Sequence, residues 1–482
     1  MRRFEKRARA GGSTRRPWLA GGRRALVAIT IALWLGWPTT IEMSREPAEP
    51  ERQPARDVPA SATPAGQPGE IAVAGKPDVV VTVDRQRPAG ASQLAIGATL
   101  TQYSLNPWGD AGAIARGKQL LGRVATYQNQ HIMGWGAVNP EPAPGVYDWS
   151  SLDRRVQLMR ETGGVPTITL CCAPDWMKGG QPGATDWSQL TKAPLPEHYD
   201  DFAELARQVA LRYPDVKHYL VWNEMKGFWS SRLNNWDYRR YTTLYNKVYD
   251  ALKSVSPDIK VGGPYLVIEG TGSETGQWWS VRPISQRNRS VLKYWLEHKR
   301  GADFLVVDRP VKSAQDVNRY SASEYLGFTP LFGEIVRQLR QMSDLPIWWA
   351  ESYFVRDDAN PDFEAAGLAS MLYHQLRAGS SVSLCWSPEA RPGGRGGQRM
   401  FSDTLAPGGG QPLPALGVYQ AFRDYFPPGT RLYRADSSSP DVEALASSGR
   451  VLLINKRPDA LLVQVNHARV SLKGYGVSVV AL

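Results

Sequence analysis

Between residues 94 and 430 the chain repeats one unit: a short apolar run, a polar loop, then a stretch with apolar residues at helical spacing. This alternation confines the fold to parallel strands with helical crossovers, because a parallel strand cannot reach its neighbour through a tight turn. The apolar runs lie at 94–100, 123–127, 165–172, 217–222, 259–263, 303–307, 345–350 and 381–386. Helical faces recur between them, as at Leu152, Val156 and Met159, at Tyr241, Leu244, Tyr245, Val248 and Leu252, and at Leu368, Met371, Leu372 and Leu376. Eight such units, closed by a helix from Pro414 to Tyr425, predict an α/β chain folded as a (β/α)8 TIM barrel. A doubly wound sheet would bring a glycine-rich phosphate loop after the first strand, and none is there.

The flanks have another texture. After residue 430 come short strand-like runs at 442–446, 450–454, 460–465 and 477–482 without helices, which predict a small C-terminal β-sandwich over 431–482. The barrel domain is placed at 78–430. Within it 78–93 is a lead-in whose strand, 78–84, is a candidate to join the sandwich. Residues 42–77 are rich in Pro and Ala, with too few large apolar residues to build a core, and read as a disordered linker. Residues 1–41 read as a basic N-terminus followed by the apolar segment 25–37, an export signal or an uncleaved signal anchor. Thr14 to Leu19 resembles a twin-arginine signal. The expected location is the outer face of the cytoplasmic membrane, or outside the cell.

Charge bears on partners. The chain of 482 residues carries a net +11, but residues 1–24 hold nine basic residues against the single acid Glu5. The body therefore lacks a strong footprint for a phosphate backbone, and no nucleic-acid partner is expected. Membrane contact is expected through the N-terminal segment only. Three cysteines, Cys171, Cys172 and Cys385, make no disulfide framework and have no zinc spacing around them. They read as small buried hydrophobes at strand ends.

Barrel enzymes carry their chemistry at the C-terminal ends of strands. The fourth strand ends Trp222-Asn223-Glu224, and the seventh ends Trp349-Ala350-Glu351. Two carboxyls facing each other across a barrel mouth suit cleavage of a glycosidic bond, one as proton donor and one as nucleophile or base. Asn223 can bond a sugar hydroxyl, and Trp386, at the end of the eighth strand, can stack on a sugar ring. His131, Tyr265 and Asp308 are further candidates for substrate contact. Trp278 and Trp279 read as an exposed lip, and 391–399 as a loop over the mouth. There is no serine elbow, His-x-x-x-His pair or P-loop, so neither metal nor cofactor is expected.

These residues carry a resemblance. Trp222-Asn223-Glu224, Glu351, the stretch 135–149 with its Glu141-Pro142 and Tyr147-Asp148-Trp149, Ala173-Pro174-Asp175-Trp176 and the closing helix from Ala415 are similar to the retaining glycoside hydrolases of clan A. The similarity is greatest to glycoside hydrolase family 39, which includes β-xylosidases and α-L-iduronidases, and it runs from 94 through the C-terminal tail. The resemblance implies a carbohydrate substrate and double displacement in a β-linked oligo- or polysaccharide. Glu224 would be the acid/base, its pKa raised by a charged Glu351, and Glu351 the nucleophile. Asn223 would contact the 2-hydroxyl, and Trp386 would floor the subsite that holds the cleaved sugar. Two stretches depart from the family: Val307-Asp308-Arg309-Pro310 stands where a His-x-Tyr pair is common, and Gln128 to His131 replaces a different polar set. A noncatalytic glycan-binding protein or an envelope transglycosylase on the same barrel is the alternative.

Overall fold

The computed structural model describes residues 75–272, 278–311, 319–354, 356, 360–391 and 398–482. The N-terminal segment, nearly all of the linker and most of the 391–399 loop lie outside them. Among the described residues no helix is long and apolar enough to cross a membrane.

Eight parallel strands close a barrel in chain order: Ala95–Thr99, Tyr127–His131, Val165–Leu170, His218–Val221, Lys260–Val267, Phe304–Pro310, Ile347–Tyr353 and Val382–Trp386. The eighth pairs with the first, from Val382 against Ala95 to Trp386 against Thr99. Leu220, Tyr265, Phe304, Val306, Trp348, Ala350, Val382 and Leu384 form a cluster contributed by the fourth to eighth strands. A larger core lies between the strands and the surrounding helices, where the apolar stripes of Tyr199–Arg212, Tyr238–Val255 and Pro330–Arg340 are buried.

The second strand corrects the sequence reading. Only Arg123 and Val124 of the run at 123–127 belong to the helix Ala111–Val124, and the strand begins at the run's last residue as the polar Tyr127–His131. Its glutamines accept from the helix that follows, Gln128 from Thr162 Oγ1 at 2.9 Å and Gln130 from Arg155 Nε at 2.7 Å, while Asn129 bonds inside the barrel. Asn129 Nδ2 donates to Thr99 Oγ1 at 3.1 Å, Thr169 Oγ1 donates to Asn129 Oδ1 at 2.9 Å, and Thr99 Oγ1 donates to the carbonyl of Ala350 at 2.7 Å. One chain of bonds thus ties the first, second and third strands to the residue before Glu351.

The C-terminal strands form one seven-stranded, mostly antiparallel sheet. Valines 79, 81 and 83 share its core with residues from strands at both of its edges, so the sheet folds over on itself as a sandwich. The strand Val79–Ala91 lies inside this sheet. It is antiparallel to Arg431–Ser437 and parallel to Leu461–Val465. The lead-in therefore belongs structurally to the sandwich, although it precedes the barrel in sequence.

Cys171 and Cys172 also differ from expectation. They are buried, but they are joined in a vicinal disulfide, while Cys385 is free and buried. Within a strand, neighbouring side chains point to opposite faces; here the chain has just left the third strand and that alternation no longer holds.

Candidate active site

The fourth strand stops at Val221, and the next residues turn sharply outward. Trp222, Glu224 and Met225 have φ of 69°, 51° and 51°, and Gly227 follows at 76°. Left-handed backbone at three bulky residues is costly and recurs where a side chain must be aimed at a site. The fifth strand carries another such residue, Tyr265 at φ 51°. It is the extra residue of a bulge: Pro264 pairs with Val306 and Leu266 with Val307, leaving Tyr265 unmatched. A second bulge lies between the sixth and seventh strands, where Trp349 pairs with Val307 and Glu351 with Asp308, leaving Ala350 over. Bulges re-aim side chains. Here they bring Tyr265, Asp308 and Glu351 to one level.

Glu224, Asp308 and Glu351 are all buried, and one carboxylate oxygen of each lies within 4.8 Å of the others. The Tyr265 hydroxyl donates to Glu351 Oε1 at 2.7 Å. Lys226 Nζ, two residues after Glu224, lies 2.6 Å from Glu224 Oε2. Its ammonium lies over the Trp135 ring, 5.5 Å from the ring centre. Trp135 packs on His131 at 4.4 Å, and Trp386 meets both rings edge-on at 6.3 and 6.2 Å. The structure therefore gathers all seven residues singled out from sequence: Glu224, Glu351, Asn223, His131, Tyr265, Asp308 and Trp386. It adds Lys226 and Trp135. The only sequence trace of Lys226 is its place two residues after the glutamate; Trp135 opens the loop stretch 135–149.

Several buried polar atoms here make no well-formed hydrogen bond: the ring nitrogens of His131 and the amide atoms of Asn223, two side chains that lie against each other, and Asp308 Oδ1. Such orphans in a folded interior mark places where a ligand's hydroxyls complete the bonding. On loops of the same barrel end, Trp108 and Trp279 are 76% and 65% exposed. Trp278 instead packs against the core, so the expected lip is one ring rather than two.

The protonation pattern differs from the expectation for Glu224. Burial alone would raise its pKa, but the Lys226 ammonium and hydrogen bonds from Asp308 and Lys226 outweigh burial and hold it below the usual range. Glu351 is pushed up to about 8, first by burial and then by the charge on Glu224, against the pull of Lys226 and the Tyr265 hydroxyl. Asp308 is pushed well up, by burial and then by the charges of Glu351 and Glu224. Burial, and then Lys226, lower His131 to about 3, so its ring is neutral. The Lys226 ammonium beside Glu224 reverses the expected order of the pair. The three carboxyls are close enough to hold a metal ion. The Lys226 ammonium already supplies positive charge at Glu224, so the donor set does not require one.

No family model and no curated protein matches the chain. Solved structures do. A monomeric β-xylosidase from Caulobacter crescentus aligns over 80% of this chain and 83% of its own, at TM-score 0.53 and 18% identity. A GH39 enzyme from Xanthomonas axonopodis pv. citri covers 80% of this chain and 76% of its own, at 0.50 and 18%. The chain has the fold of the family 39 glycoside hydrolases. A bacterial orthologue of human α-L-iduronidase aligns over 81% of this chain and 68% of its own, at 0.53 and 15%.

Proposed function

We propose that the protein is a retaining glycoside hydrolase with Glu351 as nucleophile and Glu224 as acid/base. The observation that carries this reading is the approach of the two buried carboxyls to within 4.8 Å at the C-terminal end of the barrel. Retaining enzymes hold the pair about 5–5.5 Å apart, whereas inverting ones leave ~6.5–9.5 Å for a water. The β-xylosidase and iduronidase-like enzymes of the same fold favour the same chemistry.

In the first step an oxygen of Glu351 bonds to the anomeric carbon as the glycosidic C–O bond breaks, and the leaving oxygen takes a proton from Glu224. In the second, Glu224 takes a proton from water, the water oxygen bonds to the anomeric carbon, and Glu351 leaves as a carboxylate. The Tyr265 hydroxyl steadies Glu351 in its charged form. Asn223 and His131, which make no well-formed bond in the site, offer polar atoms to sugar hydroxyls. Trp135 and Trp386 supply apolar ring surface. The substrate is proposed to be a β-linked glycan.

Export belongs to the same proposal. The basic segment and apolar run at 25–37 support it, as does the Cys171–Cys172 disulfide, a bond that persists in oxidising compartments. Cell fractionation places the protein at the membrane or outside; recovery from the cytosol overturns export.

The activity is tested with the full-length chain, Glu224→Ala and Glu351→Ala on a panel of aryl β-glycosides and β-glycans. Wild type turns over at least one substrate. Glu351→Ala loses turnover and regains it with azide, giving a product of inverted configuration. Binding of glycans without turnover by wild type overturns the assignment in favour of a binding protein.

A further inference from the structure

We propose that Asp308 is a proton store for the site: it holds, against Glu224, the proton that Glu224 passes to the leaving group. This rests on the glycosidase reading above. Oxygens of the buried Glu224, Asp308 and Glu351 lie within 4.8 Å of one another, and three such carboxyls beside a single ammonium do not all ionise. Lys226 Nζ sits 2.6 Å from Glu224 Oε2 and fixes a negative charge there. The Tyr265 hydroxyl donates to Glu351 at 2.7 Å and favours charge on that group. Asp308, which has neither partner, holds the proton.

The surroundings of Asp308 fit this task. From the fourth strand's loop it faces Glu224 and Lys226, from the seventh strand Glu351 and Tyr353, and from the fifth Tyr265. Its neighbour Arg309 also feels its charge, while the guanidinium donates to the carbonyl of Ile268 at 2.7 Å. The second oxygen, Oδ1, is buried and makes no hydrogen bond, so no structural bond competes for the group. Burial and the nearby carboxylates both favour the neutral acid.

The step balances without any outside reagent. When the sugar displaces the ammonium from Glu224, the proton moves from an Asp308 oxygen to a neighbouring Glu224 oxygen. Asp308 becomes the carboxylate and Glu224 the acid. Lys226, which faces both groups, then compensates the charge on Asp308. The cleaved bond consumes the proton from Glu224, and water returns one in the second step. Asp308 thus acts through Glu224.

Two measurements test this. The first needs no substrate. The infrared difference spectrum of the full-length protein against Asp308→Asn at neutral pH should show the loss of one protonated-carboxyl band; its absence overturns the proposal. The second compares Asp308→Asn with wild type on methyl and dinitrophenyl glycosides of one sugar. A proton donor contributes about 10²–10⁴-fold when the leaving group needs protonation. The methyl glycoside should lose ~10²-fold or more, and the dinitrophenyl glycoside, which leaves unaided, less than about tenfold. Equal losses on both mean that Asp308 only binds or positions the sugar, and overturn the proposal. If wild type cleaves no glycoside at all, the glycosidase reading fails, while the infrared result still decides where the proton sits.

Discussion

Lys226 changes what the two glutamates do. A glycosidase pair needs one carboxyl charged and one protonated, and the residue with the ammonium beside it is the charged one until something moves that ammonium. Replacing Lys226 by Met removes a cation that favours the charged forms of both Glu224 and Glu351. Both pKa values then rise, so the whole bell of kcat/KM against pH moves to higher pH. A profile that stays in place would mean that the ammonium is not coupled to the carboxyls in solution. Tyr265→Phe isolates one partner of Glu351. Its 2.7 Å bond favours the ionised nucleophile, so losing it raises Glu351 beyond its value of about 8. The rising limb of kcat/KM should move upward. A hydrogen bond to a charged group contributes about 1.5–3 kcal/mol, which is roughly 10- to 100-fold in rate. An unchanged limb with an unchanged rate would show that the phenol does not act on Glu351.

At the scale of the element, the loop that carries Glu224 is held by backbone shape. Gly227 has φ 76°, and a Cβ there would collide with the backbone nitrogen of Ala193. Gly227→Ala should cost ~1–3 kcal/mol from the left-handed conformation alone. Because the loop must shift, turnover should fall further than the melting temperature suggests; unaltered kinetics would show that the loop does not set the position of Glu224. The elements also show what a sequence can disclose. Apolar strands and striped helices were legible because burial writes a period into the residues, and Glu224 and Glu351 were legible because each ends such a strand. The second strand was not legible, since Gln128, Asn129 and Gln130 are buried through hydrogen bonds to residues distant in sequence, and His131 is buried among aromatic rings. Nor were the bulges that set Asp308 beside Glu351, because an extra residue in a ladder is defined only by its partner strand. The closeness of Lys226 to Glu224 depends on the turn at 222–227, which no periodicity encodes.

Across the whole molecule, barrel and sandwich are joined by a buried ionic contact. Glu443 of the sandwich meets His374 Nε2, on the helix Pro361–Arg377, at 3.0 Å, and Lys456 Nζ at 3.0 Å. Burial alone would raise the Glu443 pKa, but the hydrogen bond and charge of His374, with Lys456, bring it from 4.5 down to about 2. A depressed folded value means the contribution is complete above about 4.5 and is lost as pH falls toward about 2. Glu443→Gln should destabilise the protein by ~1–3 kcal/mol at neutral pH, since it takes the charged acceptor away from the half-buried Lys456 ammonium and the His374 ring. The gap between the thermal melts of wild type and variant should close as the pH drops through that window. A gap that stays constant with pH would show that the pair contributes packing and not charge.

The strand Val79–Ala91 has a consequence for the order of assembly. Val80 reaches Ser438, 358 residues further along the chain, and the next-door pairing partner begins only at Leu461. A ribosome adding ~5–20 residues per second needs roughly 20 to 70 s to span that gap. During that time the valines at 79, 81 and 83 have emerged without the strands that bury them, while each barrel strand meets its neighbour soon after synthesis. The barrel can therefore close first, and the earliest strand of the described chain is the one that must wait. The sandwich is a late clasp, set only when the synthesis of its second half brings a mate to the waiting strand.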